Sequence, residues 1–201
     1  MTPATVYRIL LLALAALFFL VPPARGQVGP VSVTEELVCR VQHAIRWREA
    51  AWDRWQCVRI SDAVNAAAAE SGQRDDLLLA IAINESDLRP YVERWYGFLR
   101  AEPGAVGDFG LMGVRCRLGP DMLCSEGLAR GMKYPQLLRP EVNLRVAAKI
   151  LARKPKLNDY NGGDGYASRV RAIAAALAGV EVKVKSKRVR KLVRQILGGH
   201  S

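Results

Sequence analysis

In the segment LLLAIAINESDLRP, Leu77 to Pro90, an apolar run delivers a carboxylate at Glu85. Leu77, Leu78 and Ile81 precede Glu85 by eight, seven and four residues, so a helix of 3.6 residues per turn sets all four on one face. The spacing predicts a buried stripe, where an unpaired carboxylate is costly. An apolar face, partial burial and the end of a helix, whose dipole disfavours anions, each push a carboxyl pKa upward. A carboxyl that keeps its proton near neutral pH can donate it, which makes Glu85 a candidate general acid. Position alone does not carry that assignment, because a glutamate in the last turn of a helix commonly points to solvent.

Four segments downstream add residue types suited to a polar cleft: GDFGLMGV, LLRPEVNLRVAAKILA, NDYNGG and YASRV. Each has a plain structural reading. Leu111 and Met112 suit a core, Asn161-Gly162-Gly163 is a turn, and a tyrosine such as Tyr160 commonly packs. In order and spacing, however, NES and these segments resemble the lytic transglycosylases and goose-type lysozymes of the lysozyme-like superfamily. That pattern runs Glu-Ser, Gly-Leu-Met-Gln, Pro-Glu-x-Asn-Ile and Ala-Tyr-Asn-x-Gly. The match spans roughly residues 77–170, about half of the chain.

The resemblance implies a lysozyme-like helical domain with a loop-rich glycan cleft. It makes Glu85 the catalytic acid and base, and Ser86 the serine beside it. Gly110, Leu111 and Met112 become the turn that floors the cleft, Asn143 the helix asparagine, and Tyr160 and Asn161 the Tyr-Asn pair near the carboxyl or the sugar. Two positions depart from the pattern: Gly113 stands where a glutamine is usual, and Asp159 where an alanine is usual. The implied reaction is cleavage of peptidoglycan between N-acetylmuramic acid and N-acetylglucosamine, with closure of a 1,6-anhydro ring by the muramyl 6-hydroxyl. One carboxyl suffices, and neither metal nor other cofactor is required. Hydrolysis, as in a goose-type lysozyme, needs a second carboxylate to position water; Asp108 is the foremost candidate, before Asp87 and Glu93. A non-catalytic glycan-binding protein on the same fold, and a secreted effector acting through its basic tail, are the readings from other classes.

These residues need elements to hold them. SVTEELVCRVQHAIRWREAAW begins with Ser32 and Glu35 in capping-box spacing, and Val38, Val41, Ile45 and Trp52 recur at helical intervals. SDAVNAAAAES predicts a helix from Ser61 to Gly72, and the Glu85 segment a third with Asp75 or Asp76 near its cap. RPEVNLRVAAKILARKP predicts another, with Leu144, Ala147, Ala148 and Leu151 on one face and Pro155 beyond its end. A further helix carries Tyr166, Val170, Ile173, Ala174 and Leu177. No strand pattern stands out in the body, so the expected fold is mainly α.

At the start of the chain, Arg8, the thirteen apolar residues ILLLALAALFFLV and the small residues Ala24 and Gly26 read as a secretory signal peptide over residues 1–26. An uncleaved anchor is the alternative, although a bilayer core needs about 20 apolar residues. An exported protein, periplasmic or extracellular, permits disulfides among Cys39, Cys57, Cys116 and Cys124. Of three possible connectivities the two local closures, Cys39–Cys57 and Cys116–Cys124, are favoured. There is no C-x-x-C pair, and only His43 and His200 could add imidazole, which argues against zinc. The net charge is +11, or +9 without residues 1–26, and residues 180–201 carry +6 of it. The reading therefore divides the chain into 1–26, a domain over 27–179 and a basic tail. That tail suits an anionic envelope surface. Nucleic acid is not expected, since basic and aromatic residues do not interleave. Within the tail VEVKVK alternates like a strand, whereas Val189, Leu192, Val193, Ile196 and Leu197 follow helical spacing, as a final helix with its apolar side on the domain requires.

Overall fold

The structure is a computed structural model, and it describes residues 31–46, 54–154 and 156–198. The signal-peptide reading, Trp52 and Pro155 lie outside the described residues. Among the described residues six α-helices dominate: α1 Glu35–Arg46, α2 Arg54–Ser71, α3 Asp75–Ser86, α4 Pro140–Ala152, α5 Tyr166–Leu177 and α6 Lys187–Ile196. Between α3 and α4 the chain forms a small antiparallel sheet, β1 Glu93–Tyr96, β2 Val106–Phe109 and β3 Val114–Arg117, in that order. The fold is thus mainly helical with a three-stranded sheet.

The sheet corrects the expectation of a body without strands. Each strand is four residues long, too short for alternation to stand out, although β3 does alternate: Val114 and Cys116 are buried, Arg115 and Arg117 exposed. Aromatic packing anchors it, with Trp95 edge-on to Phe109 at 4.9 Å and Tyr134 at 5.2 Å from each.

Helix α1 is capped by Thr34, whose hydroxyl accepts from the Leu37 amide at 3.1 Å, two residues after the cap that the Ser32–Glu35 spacing predicts. Helix α2 begins seven residues before Ser61, which sits inside it and donates its hydroxyl to the Val58 carbonyl at 2.9 Å. Cys57, Ile60, Val64 and Ala67 are buried along one side of α2. Helix α3 departs most from its amphipathic reading. Leu77 is only half-buried, while every residue from Leu78 to Ser86 is buried, so the helix has no single inward face. A helix apolar all round is a central one. Its start is well met electrostatically. Asp75 accepts from the amides of Val33 and Asp76, and buried Asp76 pairs with Arg74.

Helix α2 packs along α4 and α3 against α5, and α6 closes the assembly against α5 and α1. Val180 to Lys185 form no strand; Val184 enters the core there, and Val189, Leu192, Val193 and Ile196 follow it from α6. Both disulfides, Cys39–Cys57 joining α1 to α2 and Cys116–Cys124 closing the loop after β3, are the local ones. Among the described residues no helix is long and apolar enough to cross a membrane.

Candidate active site

The end of α3, the sheet and the turn Tyr160–Gly163 enclose a cleft of about 450 Å³. Glu85 lies in it, 9% exposed, one residue before α3 ends. Its Oε1 accepts from Asn161 Nδ2 at 3.3 Å. Its Oε2 faces Gly113, whose φ is +60° and whose hypothetical Cβ would stand 3.4 Å away. The glycine that departs from the expected glutamine therefore keeps side-chain atoms off one carboxyl oxygen. That same point lies 3.9 Å from Cβ of Asp108, so both carboxylates border one small space.

A left-handed turn and two arginines fix the end of α3 that carries Glu85. After α3 the chain turns through Asp87 and Leu88, both in the left-handed region at φ 52° and 59°. The last carbonyls of a helix lack intrahelical donors, and here two guanidinium groups supply them. Arg94 donates to the Glu85 carbonyl from β1. Arg188 reaches from α6 to the Asn84 carbonyl at 3.2 Å and to Asp87 at 2.8 Å. Cations at this end also oppose the negative pole of the helix dipole.

The far wall is built around Asn143 of α4. Fully buried, it accepts from the Met112 amide at 2.7 Å and donates to the carbonyls of Phe109 at 2.7 Å and Leu137 at 2.8 Å. Gly110, at φ +72°, completes this clamp. A Cβ there would stand 2.3 Å from the Leu137 carbonyl oxygen and 2.4 Å from Asn143 Nδ2. Leu111 and Met112 are fully buried, and Met112 also lines the cleft. Tyr160 donates its hydroxyl to the Met112 carbonyl at 2.8 Å.

Of the residues singled out in the sequence, Glu85, Asp108, Met112, Tyr160 and Asn161 meet at the cleft, and Gly110 and Asn143 shape it from behind. Ser86 turns away: it is buried, with its hydroxyl on the Ala82 carbonyl at 2.8 Å. Asp108 is engaged on both oxygens, by the Tyr96 hydroxyl and by Arg115 Nε at 3.0 Å. None of residues 116–124, the disulfide-closed loop, lines the cleft.

Sequence reasoning missed Arg94, Tyr96, Arg115 and Lys154, which line the cleft from the sheet and the end of α4. It also missed the role of Tyr166, whose ring stacks near Tyr160 with centroids 6.4 Å apart. Its hydroxyl is buried and lies near the Glu85 carboxyl, without a well-aligned hydrogen bond. Burial, then the charge of Glu85, holds both tyrosine hydroxyls well above the ordinary phenol range, with Asp108 adding to the effect on Tyr160 and the Glu85 carboxyl, as a nearby acceptor, to that on Tyr166. Both stay protonated around the carboxylate. Tyr96 is raised too, by its bond to Asp108 first. The arrangement can hold and move one proton at Glu85, with an amide, a cleared oxygen and neutral phenols around it. Among the described residues no group of His, Cys, Asp and Glu is placed to hold a metal ion. No protein-family model, curated protein or solved structure matches this chain.

Proposed function

We propose that this protein is a peptidoglycan lytic transglycosylase with a lysozyme-like fold, exported to the cell envelope. The observation that carries the reading is Glu85, buried at the end of a central helix yet opening onto the cleft between Asn161 and Gly113. Glu85 donates its proton to the oxygen between N-acetylmuramic acid and N-acetylglucosamine, and the bond from that oxygen to the muramyl anomeric carbon breaks. The substrate's own acetamido group supports the positive charge left on that carbon. The Glu85 carboxylate then takes the proton of the muramyl 6-hydroxyl, whose oxygen bonds to the same carbon. One residue acts as acid and then as base, and no water enters the product. Asn161 holds Oε1, and Gly113 leaves Oε2 open.

Asp108 ranks the alternatives. A hydrolase needs a carboxylate free to position water, and both oxygens of Asp108 are bound by Tyr96 and Arg115. This favours internal attack by the 6-hydroxyl. The test is digestion of purified peptidoglycan by the wild type and by Glu85→Gln, with products read by mass spectrometry. Fragments one water lighter than hydrolysis products, formed by the wild type alone, support the reading. Binding without release by either protein contradicts it.

A further inference from the structure

Helix α6 divides its faces. Val189, Leu192, Val193 and Ile196 are spent in the core, and Arg188 is spent on α3. Outward, Lys187, Arg190, Lys191 and Arg194 follow i, i+3, i+4, i+7 spacing, so they form one stripe about 10 Å long at 1.5 Å per residue. All four are exposed, and together they alone line a shallow depression of about 250 Å³. Among the described residues none of them is paired with an acid, and the sole acidic residue from 180 to 198 is Glu181. Arg190 instead donates to the carbonyls of Val184 and Lys185 at 3.0 and 3.4 Å, which holds its guanidinium beside the loop. Like charges at i, i+4 work against the helix that carries them. Arg190 offsets this through its two carbonyl bonds and Arg194 through the helix dipole, whereas Lys187 and Lys191 make no such contact among the described residues.

We propose that this stripe is a docking surface for a linear polyanion whose repeating units carry phosphate. Guanidinium groups match phosphate oxygens in pairs and ammonium groups add point charges along the strand. The apolar side of α6 is buried, so the helix cannot insert into a bilayer as an interfacial helix does. No aromatic residue lines the depression, so the stripe itself offers no platform for stacked bases. A depression lined by four cations fits a strand laid along it. The proposal stands apart from the glycan-cleavage reading and survives its failure.

The test measures binding of fluorescently labelled linear polyphosphate to the chain without residues 1–26, by anisotropy across a salt series. Wild-type binding should weaken steeply with salt. The variant Lys187→Gln/Arg190→Gln/Lys191→Gln/Arg194→Gln should bind at least about tenfold more weakly, with the log–log salt slope smaller by about three. Lys149→Gln/Arg153→Gln, two exposed cations elsewhere, should bind like the wild type. If circular dichroism shows the fourfold variant unfolded, Arg190→Gln/Arg194→Gln replaces it, with about half the change in slope. Equal binding by wild type and stripe variant would overturn the proposal. So would tighter binding to phosphatidylglycerol vesicles, or to a single-stranded oligonucleotide of equal charge, than to polyphosphate.

Discussion

Glu85 is held by groups that act on different atoms, and their loss should be separable. Glu85→Gln keeps the shape and the bond from Asn161 but cannot exchange a proton, so glycan cleavage should fall by at least about 10²-fold while glycan binding persists. Asn143→Ala strips partners from the Met112 amide and from the carbonyls of Phe109 and Leu137, all at a buried position. Each orphaned group costs about 1–3 kcal/mol, so chemical denaturation should show a loss of at least about 3 kcal/mol. Gly110→Ala should destabilise for the complementary reason, since its Cβ would collide with the same asparagine. The residue scale was also where the sequence was most and least informative. Glu85, Met112, Tyr160 and Asn161 meet at one cleft, whereas Ser86 turns away from it and Gly110 and Leu111 do not line it. Arg94, Arg115 and Arg188 carry no local signal. A surface arginine and an arginine on a helix end look alike until the fold brings a distant carbonyl to it.

At the scale of elements, α3 is a central helix whose C-terminal carbonyls are met locally at Ile83 and Ser86 and by other elements at Asn84 and Glu85. Arg188 belongs to α6, so the basic segment that reads as a tail also positions the candidate acid. Arg188→Gln should cost about 1 kcal/mol or less in stability, because its side chain is 53% exposed. It should lower kcat more than KM, with partial rescue by Arg188→Lys. A merely structural role would leave kcat of the folded fraction unchanged. Removing the Cys39–Cys57 bridge should cost about 3 kcal/mol, slightly more than removing Cys116–Cys124, because it closes the longer segment, 18 residues against 8. Helix positions were largely legible from apolar spacing, as α4 and α5 show. Starts were less so: Ser61 looks like a cap yet bonds backwards inside α2, and the strands are too brief to announce themselves.

Over the whole molecule, alkaline stability is set in part by Tyr160 and Tyr166. Their folded-state pKa values lie above the unfolded phenol value near 10, so the stability they supply is complete below that value and is lost as pH rises past it. Each contributes a slope of about −1.4 kcal/mol per pH unit there. The Tyr166 hydroxyl faces the Glu85 carboxyl without a well-aligned hydrogen bond, so Tyr166→Phe should cost about 1 kcal/mol or less at neutral pH and should flatten the decline between pH 10 and 11. An unchanged slope would contradict burial of that hydroxyl. The central claim, that Glu85 directs the muramyl 6-hydroxyl rather than water onto the anomeric carbon, is tested most directly by digesting peptidoglycan in ¹⁸O-labelled water and weighing the products. The account predicts unlabelled anhydro-ended fragments from the wild type and none from Glu85→Gln. One ¹⁸O atom at each new muramyl end would contradict it and return the chemistry to hydrolysis.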